Sequence, residues 1–79
     1  MKNMNLKDEI INAYREYIEE EGLEDTLESI DLYISTLWYD LIDDIEINRE
    51  MFSIDKNVDD YITAKMIEKM IKEVLINRI

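Results

Sequence analysis

The run from Asp25 to Ile47, DTLESIDLYISTLWYDLIDDIEI, constrains the fold more than any other part of the chain. No glycine or proline interrupts it, and Leu27, Ile30, Ile34, Leu37, Leu41 and Ile45 recur at three- and four-residue steps. That spacing gathers them on one side of an α-helix, so the run predicts a long helix whose apolar face must be buried against other elements. Turning each residue by about 100° places Glu28, Leu32, Ser35, Tyr39, Asp43 and Glu46 in one row along the far side. This outer row is acidic, yet it carries two large apolar side chains.

The flanking segments supply helices to pack against it. Asn5 with Asp8 three residues on reads as an N-cap, and a first helix follows to about Glu21 with Leu6, Ile10, Ala13, Tyr14, Tyr17 and Ile18 inward. Gly22 is the only glycine, placed where a helix stops in the left-handed conformation, with Leu23 positioned to pack back on Ile18. Asp25 and Glu28 read as a capping box for the central helix, making Gly22-Leu23-Glu24 a tight turn between antiparallel neighbours.

After Ile47 the pattern breaks over NREMFSIDK, where Met51, Phe52 and Ile54 are expected to close the open end of the bundle. Asn57 with Asp60 then caps a last helix with Ala64, Ile67, Met70, Ile71, Val74 and Leu75 on its core face. Its second row holds Val58, Ile62, Lys65, Lys69, Lys72 and Ile76. With no proline and no alternating β-branched strands, the reading is a single all-α domain over residues 1–79. It is a small three-helix bundle with helices at about 5–21, 25–47 and 57–78, the first two forming an antiparallel αα-hairpin.

At 79 residues a single core rarely supplies more than about 3–5 kcal/mol without a staple or a partner. The chain has no cysteine and no histidine, so disulfides and the usual zinc and di-iron ligand sets are excluded. No apolar stretch approaches the roughly 20 residues of a membrane span, and MKNMNLKDEI lacks the apolar core of a signal peptide, so a cytoplasmic location is expected.

The net charge of −11 is unevenly placed, because residues 1–46 hold three bases against fourteen acids while residues 47–79 are balanced. Direct binding to nucleic acid or to an anionic membrane is disfavoured, since phosphate attraction becomes repulsion. A cationic partner is favoured.

Two chemical readings fail on geometry. Asp44 to Asp55 has the length of a calcium loop, but Arg49 stands where a glycine makes the sharp turn and Asp55 where a bidentate glutamate is expected. Carboxylate pairs such as Glu16/Glu20 and Asp40/Asp44 lack the nucleophile, electrophile or enclosed site that catalysis requires. The chain therefore reads as a non-enzyme without cofactor or metal.

What remains is surface. Glu16, Glu20, Glu24, Glu28 and Asp31 belong to an acid-rich segment whose carboxylates, spaced about 5–6 Å apart on helices, loosely match the charge density of a nucleic-acid backbone. With Leu32, Ser35, Tyr39, Asp43 and Glu46 they form the candidate partner-binding set, acids steering and the two apolar residues anchoring. Alternatively, the acids serve solubility alone, and Leu32 and Tyr39 belong to the core of a helix with two neighbours.

The functional expectation is a small acidic protein that binds and inhibits a larger protein with a basic nucleic-acid-binding or nuclease surface, as a nucleic-acid mimic. Immunity and anti-defence proteins are analogous in charge and size only. The alternative is a helical structural or scaffolding homodimer in which Lys65, Lys69 and Lys72 meet the acidic half of a second copy, and a third reading is a regulatory adaptor that binds a basic peptide or a kinase.

Overall fold

The computed structural model describes residues 5–78; residues 1–4, which include Lys2 and begin the stretch read above for a signal peptide, and residue 79 lie outside the described residues. Over the described residues the chain is all-helical, with four helices where three were expected: α1 (Leu6–Glu21), α2 (Leu27–Asp43), α3 (Ile45–Met51) and α4 (Asp60–Asn77). α2 packs against α1, α3 and α4, and α1 also packs on α4.

The first helix begins and ends where its sequence says. The Asn5 side chain accepts from the Asp8 amide at 2.8 Å. At the other end Gly22 adopts φ 67°, and the Gly22 and Leu23 amides donate to the Glu19 and Ile18 carbonyls at 3.3 and 2.8 Å. This is the double bond pattern that closes a helix on a left-handed residue.

The start of α2 is shifted. Its cap is Thr26, whose hydroxyl accepts from the Ser29 amide at 3.2 Å, while Ser29 donates to the Glu24 carbonyl at 2.5 Å. Asp25 is not the cap, because its carboxylate is taken by Tyr14 and Arg78. Leu27 consequently sits in the first turn, 59% exposed, and not in the core as its spacing suggested.

The central run is one helix only as far as Asp43. At Asp44 the backbone departs to φ −110°, ψ 37°, and the Asn48 side chain donates to the carbonyls of Leu41 and Asp44 at 3.4 and 3.1 Å. A side chain that serves carbonyls of the ladder lets a helix bend without leaving buried acceptors unpaired. The bend brings Ile45, Arg49 and Phe52 into the interior.

α4 starts later than expected. Asp59, not Asn57, accepts from the Tyr61 and Ile62 amides at 2.9 and 3.3 Å, and Asn57 lies in the preceding turn, donating its amide to the Asp55 carboxylate at 2.8 Å.

The core gathers Ile10 and Tyr14 of α1, Ile30, Tyr33, Ile34 and Leu41 of α2, Ile45 and Phe52, and Ala64, Ile67, Ile71 and Leu75 of α4. Ala13, Met51 and Met70, all expected inside, are exposed. The principal extents are 38 × 32 × 21 Å, and the shortest is about two helix diameters. In so thin a body every helix keeps a face toward water.

Candidate functional site

Leu32 and Tyr39 are both exposed, Leu32 at 48% and Tyr39 at 77%. Seven residues apart, they lie about 10 Å from each other along α2. Glu28, Ser35 and Asp43 share their face and are exposed as well. Ser35 turns its hydroxyl back to the Leu32 carbonyl at 2.8 Å, so that carbonyl is already served. The Tyr39 phenol makes no hydrogen bond among the described residues. Burying a large apolar ring while leaving its hydroxyl wet is characteristic of interface tyrosines.

The remaining candidates are dispersed around this row. Glu16 and Glu20 stand on α1 and, with Glu19, flank a surface depression. Glu24 lies in the connection between α1 and α2, exposed. Asp31 faces α4, where the Lys72 ammonium reaches it at 2.9 Å. With both side chains about half exposed this ion pair contributes little to stability. Glu46 has left the row, because the bend at Asp44 carries it onto α3, where it lies 3.5 Å from Arg49 Nε.

Of the fourteen acids in residues 1–46, eleven make no ion pair among the described residues; the exceptions are Asp25, Asp31 and Glu46. α1 carries Glu19, Glu20 and Glu21 in its last turn and no base there. Carboxylates at the carboxyl end of a helix oppose its dipole. This is a local cost, and none of the three makes an ion pair among the described residues.

The basic row of α4 is partly engaged within the chain. Lys65 lies 3.7 Å from Glu68 and 5.1 and 5.6 Å from the ring centres of Trp38 and Tyr61, which meet edge to face. Trp38 is half-buried, at the margin of the core as its position suggested. Lys72 is held by Asp31, and Lys69 makes no ion pair among the described residues.

Two features were missed in the sequence. The first is Arg49, which is 5% exposed. It donates to the carbonyls of Asp55 and Val58 at 3.2 and 2.6 Å and to the Thr63 hydroxyl at 3.0 Å, and pairs with Asp60. One guanidinium thus ties α3, the 52–59 connection and α4 together. It stands in the segment compared above with a calcium loop, and that segment is instead helix α3 followed by turns.

The second is an open groove of about 350 Å³ between α1, α2 and α3, floored by Ile10, Leu37 and Leu41. Ile47 and Met51, four residues apart, form one wall. That i, i+4 pair is the available signal, and the break in apolar periodicity after Ile47, which leaves a helix extension, a short helical turn and an irregular loop all open, obscures it.

Among the described residues no group of three or more acids is arranged to hold a metal ion, and no helix is long and apolar enough to cross a membrane. No family model matches the chain, and no curated protein or solved structure matches it either.

Proposed function

We propose that this chain is a small, non-enzymatic, acidic binding protein that seats on a larger protein with a cationic surface and blocks it. The surface it blocks is one that a nucleic acid would otherwise occupy, on a nuclease or a nucleic-acid-binding effector. The observation that carries the reading is the outer face of α2, where Tyr39 and Leu32 are exposed among Glu28, Ser35 and Asp43. An apolar pair inside a polar, charged rim is the composition of an interface centre.

The unpaired acids support the same reading. Eleven carboxylates without an ion-pair partner among the described residues produce a field that accelerates encounter with a cationic surface and repels nucleic acid. α1 and α2, taken as an antiparallel hairpin, would present Glu16, Glu20 and Glu24 beside the α2 row as the steering part of one acidic surface. Competitive occlusion needs no catalytic group, and action in the cytoplasm would suit it.

The homodimer or scaffold alternative draws on Lys65, Lys69 and Lys72. It is weakened because Lys72 is held by Asp31 and Lys65 by Glu68, Trp38 and Tyr61 of the same chain.

Affinity capture from the source cell with the parent chain and with a Glu24→Lys, Glu28→Lys variant tests the proposal. The captured protein should be retained by the parent, lost by the variant, and displaced by nucleic acid. A partner retained equally by both, or indifferent to nucleic acid, would overturn the mimic reading.

A further inference from the structure

We infer that the groove between α1, α2 and α3 seats a cationic amphipathic helix of the partner, a reading that rests on the proposed partner being a cationic protein. The groove has a volume of about 350 Å³ and opens to solvent between the three helices. Its floor is apolar, and its wall residues Ile47 and Met51 remain 61% and 49% exposed. An apolar trough running between helices fits the apolar stripe of another helix, and methionine at its edge adapts to different side chains.

Charge chooses the occupant. Among the described residues the charged groups lining the groove are Glu9, Asp40 and Asp44, and none of them makes an ion pair there. Three carboxylates lining the groove, with no base beside them among the described residues, favour an apolar stripe flanked by lysine or arginine, and repel an acidic one. They also disfavour a second copy, because two chains at −11 each repel one another. The groove is separate from the Leu32–Tyr39 face. Asp40 on its rim follows Tyr39, one residue step of about 100° around α2, so a partner helix in the groove leaves Tyr39 to make its own contact.

Calorimetric titration of the full chain with a synthetic lysine–leucine helical peptide whose leucines form one stripe tests this. A scrambled peptide of equal charge without the stripe is the control. The striped peptide should bind at least about tenfold more tightly than the scrambled one. Backbone amide shifts should centre on Leu37, Ile47 and Met51. An Ile47→Gln, Met51→Gln variant should lose about tenfold in affinity at unchanged melting temperature, since both side chains are already exposed, and an Asp40→Lys, Asp44→Lys variant should weaken binding and its salt dependence.

Absent binding, or equal binding of the two peptides, would overturn the inference. So would amide shifts centred on Glu16 to Glu20 or on Tyr39, or parent self-association without peptide that the Ile47→Gln, Met51→Gln variant abolishes. Tyr39→Ala should leave peptide affinity unchanged, so failure of the groove and failure of the α2 face as a contact are read separately.

Discussion

The phenol of Tyr14 donates a 2.8 Å hydrogen bond to the carboxylate of Asp25, joining the middle of α1 to the segment that leads into α2. Arg78 closes the arrangement from the other end of the chain, with two nitrogens 2.7 and 2.5 Å from the same carboxylate and its guanidinium 5.0 Å from the Tyr14 ring centre. Tyr14 has no exposed surface and meets Tyr33 edge to face at 5.5 Å. Burial first, then the hydrogen bond to Asp25, pushes its pKa up to about 12. The Asp25 carboxyl is held below its ordinary 3.8 chiefly by the hydrogen bonds from Arg78, against the opposing effect of burial.

These shifts set opposite limits on stability. The folded state holds the Tyr14 proton more tightly than the unfolded chain does, so its contribution is intact below pH 10 and is lost as the pH rises toward 12. The Asp25 contribution is present above its unfolded pKa of about 3.8 and fades as pH falls through the lower folded value. Urea unfolding across pH should show the stability gap between the parent and Asp25→Asn full at neutral pH and closing in acid. A gap independent of pH would show that the carboxylate charge is not what matters.

Tyr14→Phe removes the hydroxyl while keeping the ring against Tyr33. A hydrogen bond to a charged group contributes roughly 1.5–3 kcal/mol, and Asp25 keeps Arg78, so the expected loss is about 1–2 kcal/mol by chemical denaturation. The latest phase of a phenolate absorbance titration should vanish in the same variant. Tyr33, raised by burial alone, should then be the last to titrate.

Arg49 is the cation on which the 52–59 connection depends. Arg49→Lys should be nearly as damaging as Arg49→Met, because an ammonium cannot reproduce the fork that reaches Asp55, Val58, Thr63 and Asp60 together. A loss of about 2–4 kcal/mol is expected for either, since buried acceptors are left unpaired. Rescue by lysine would show that charge alone is required.

The acids ending α1 should trade stability for binding. Glu19→Lys with Glu20→Lys places favourable charges at the carboxyl end of the helix and should stabilise the free protein by roughly 0.5–2 kcal/mol. The same variant should slow association with a cationic partner. Unchanged stability would mean that the opposing dipole is fully screened.

Much of this was written locally in the chain. Asn5, Gly22 and the three- and four-residue apolar steps act through bonds and contacts within a few residues, and they delimit α1 and the core faces of α2 and α4. The parts that were not legible depend on partners distant in sequence. Asp25 has the chemistry of a helix cap, but Arg78, fifty-three residues away, claims it. Asn48 bends the long helix by serving carbonyls behind it, which moved Glu46 out of its row, and Arg49 looks like a surface base until the acceptors around it are assembled. For the candidate site, spacing alone placed Glu28, Leu32, Ser35, Tyr39 and Asp43 on one face. Their exposure depended on where α4 packs, and the groove on the bend at Asp44.

Tyr39 is the proposed exposed anchor, and the dissociation rate of Tyr39→Ala from the captured partner, read beside the stability of the free variant, tests that role. The prediction is a dissociation rate faster by about thirtyfold, corresponding to roughly 2 kcal/mol for an interface hot spot. The association rate should change little and the melting temperature should stay that of the parent, because the side chain is 77% exposed. Parent-like dissociation, or a variant that unfolds, would contradict the assignment of the α2 outer face as the contact surface.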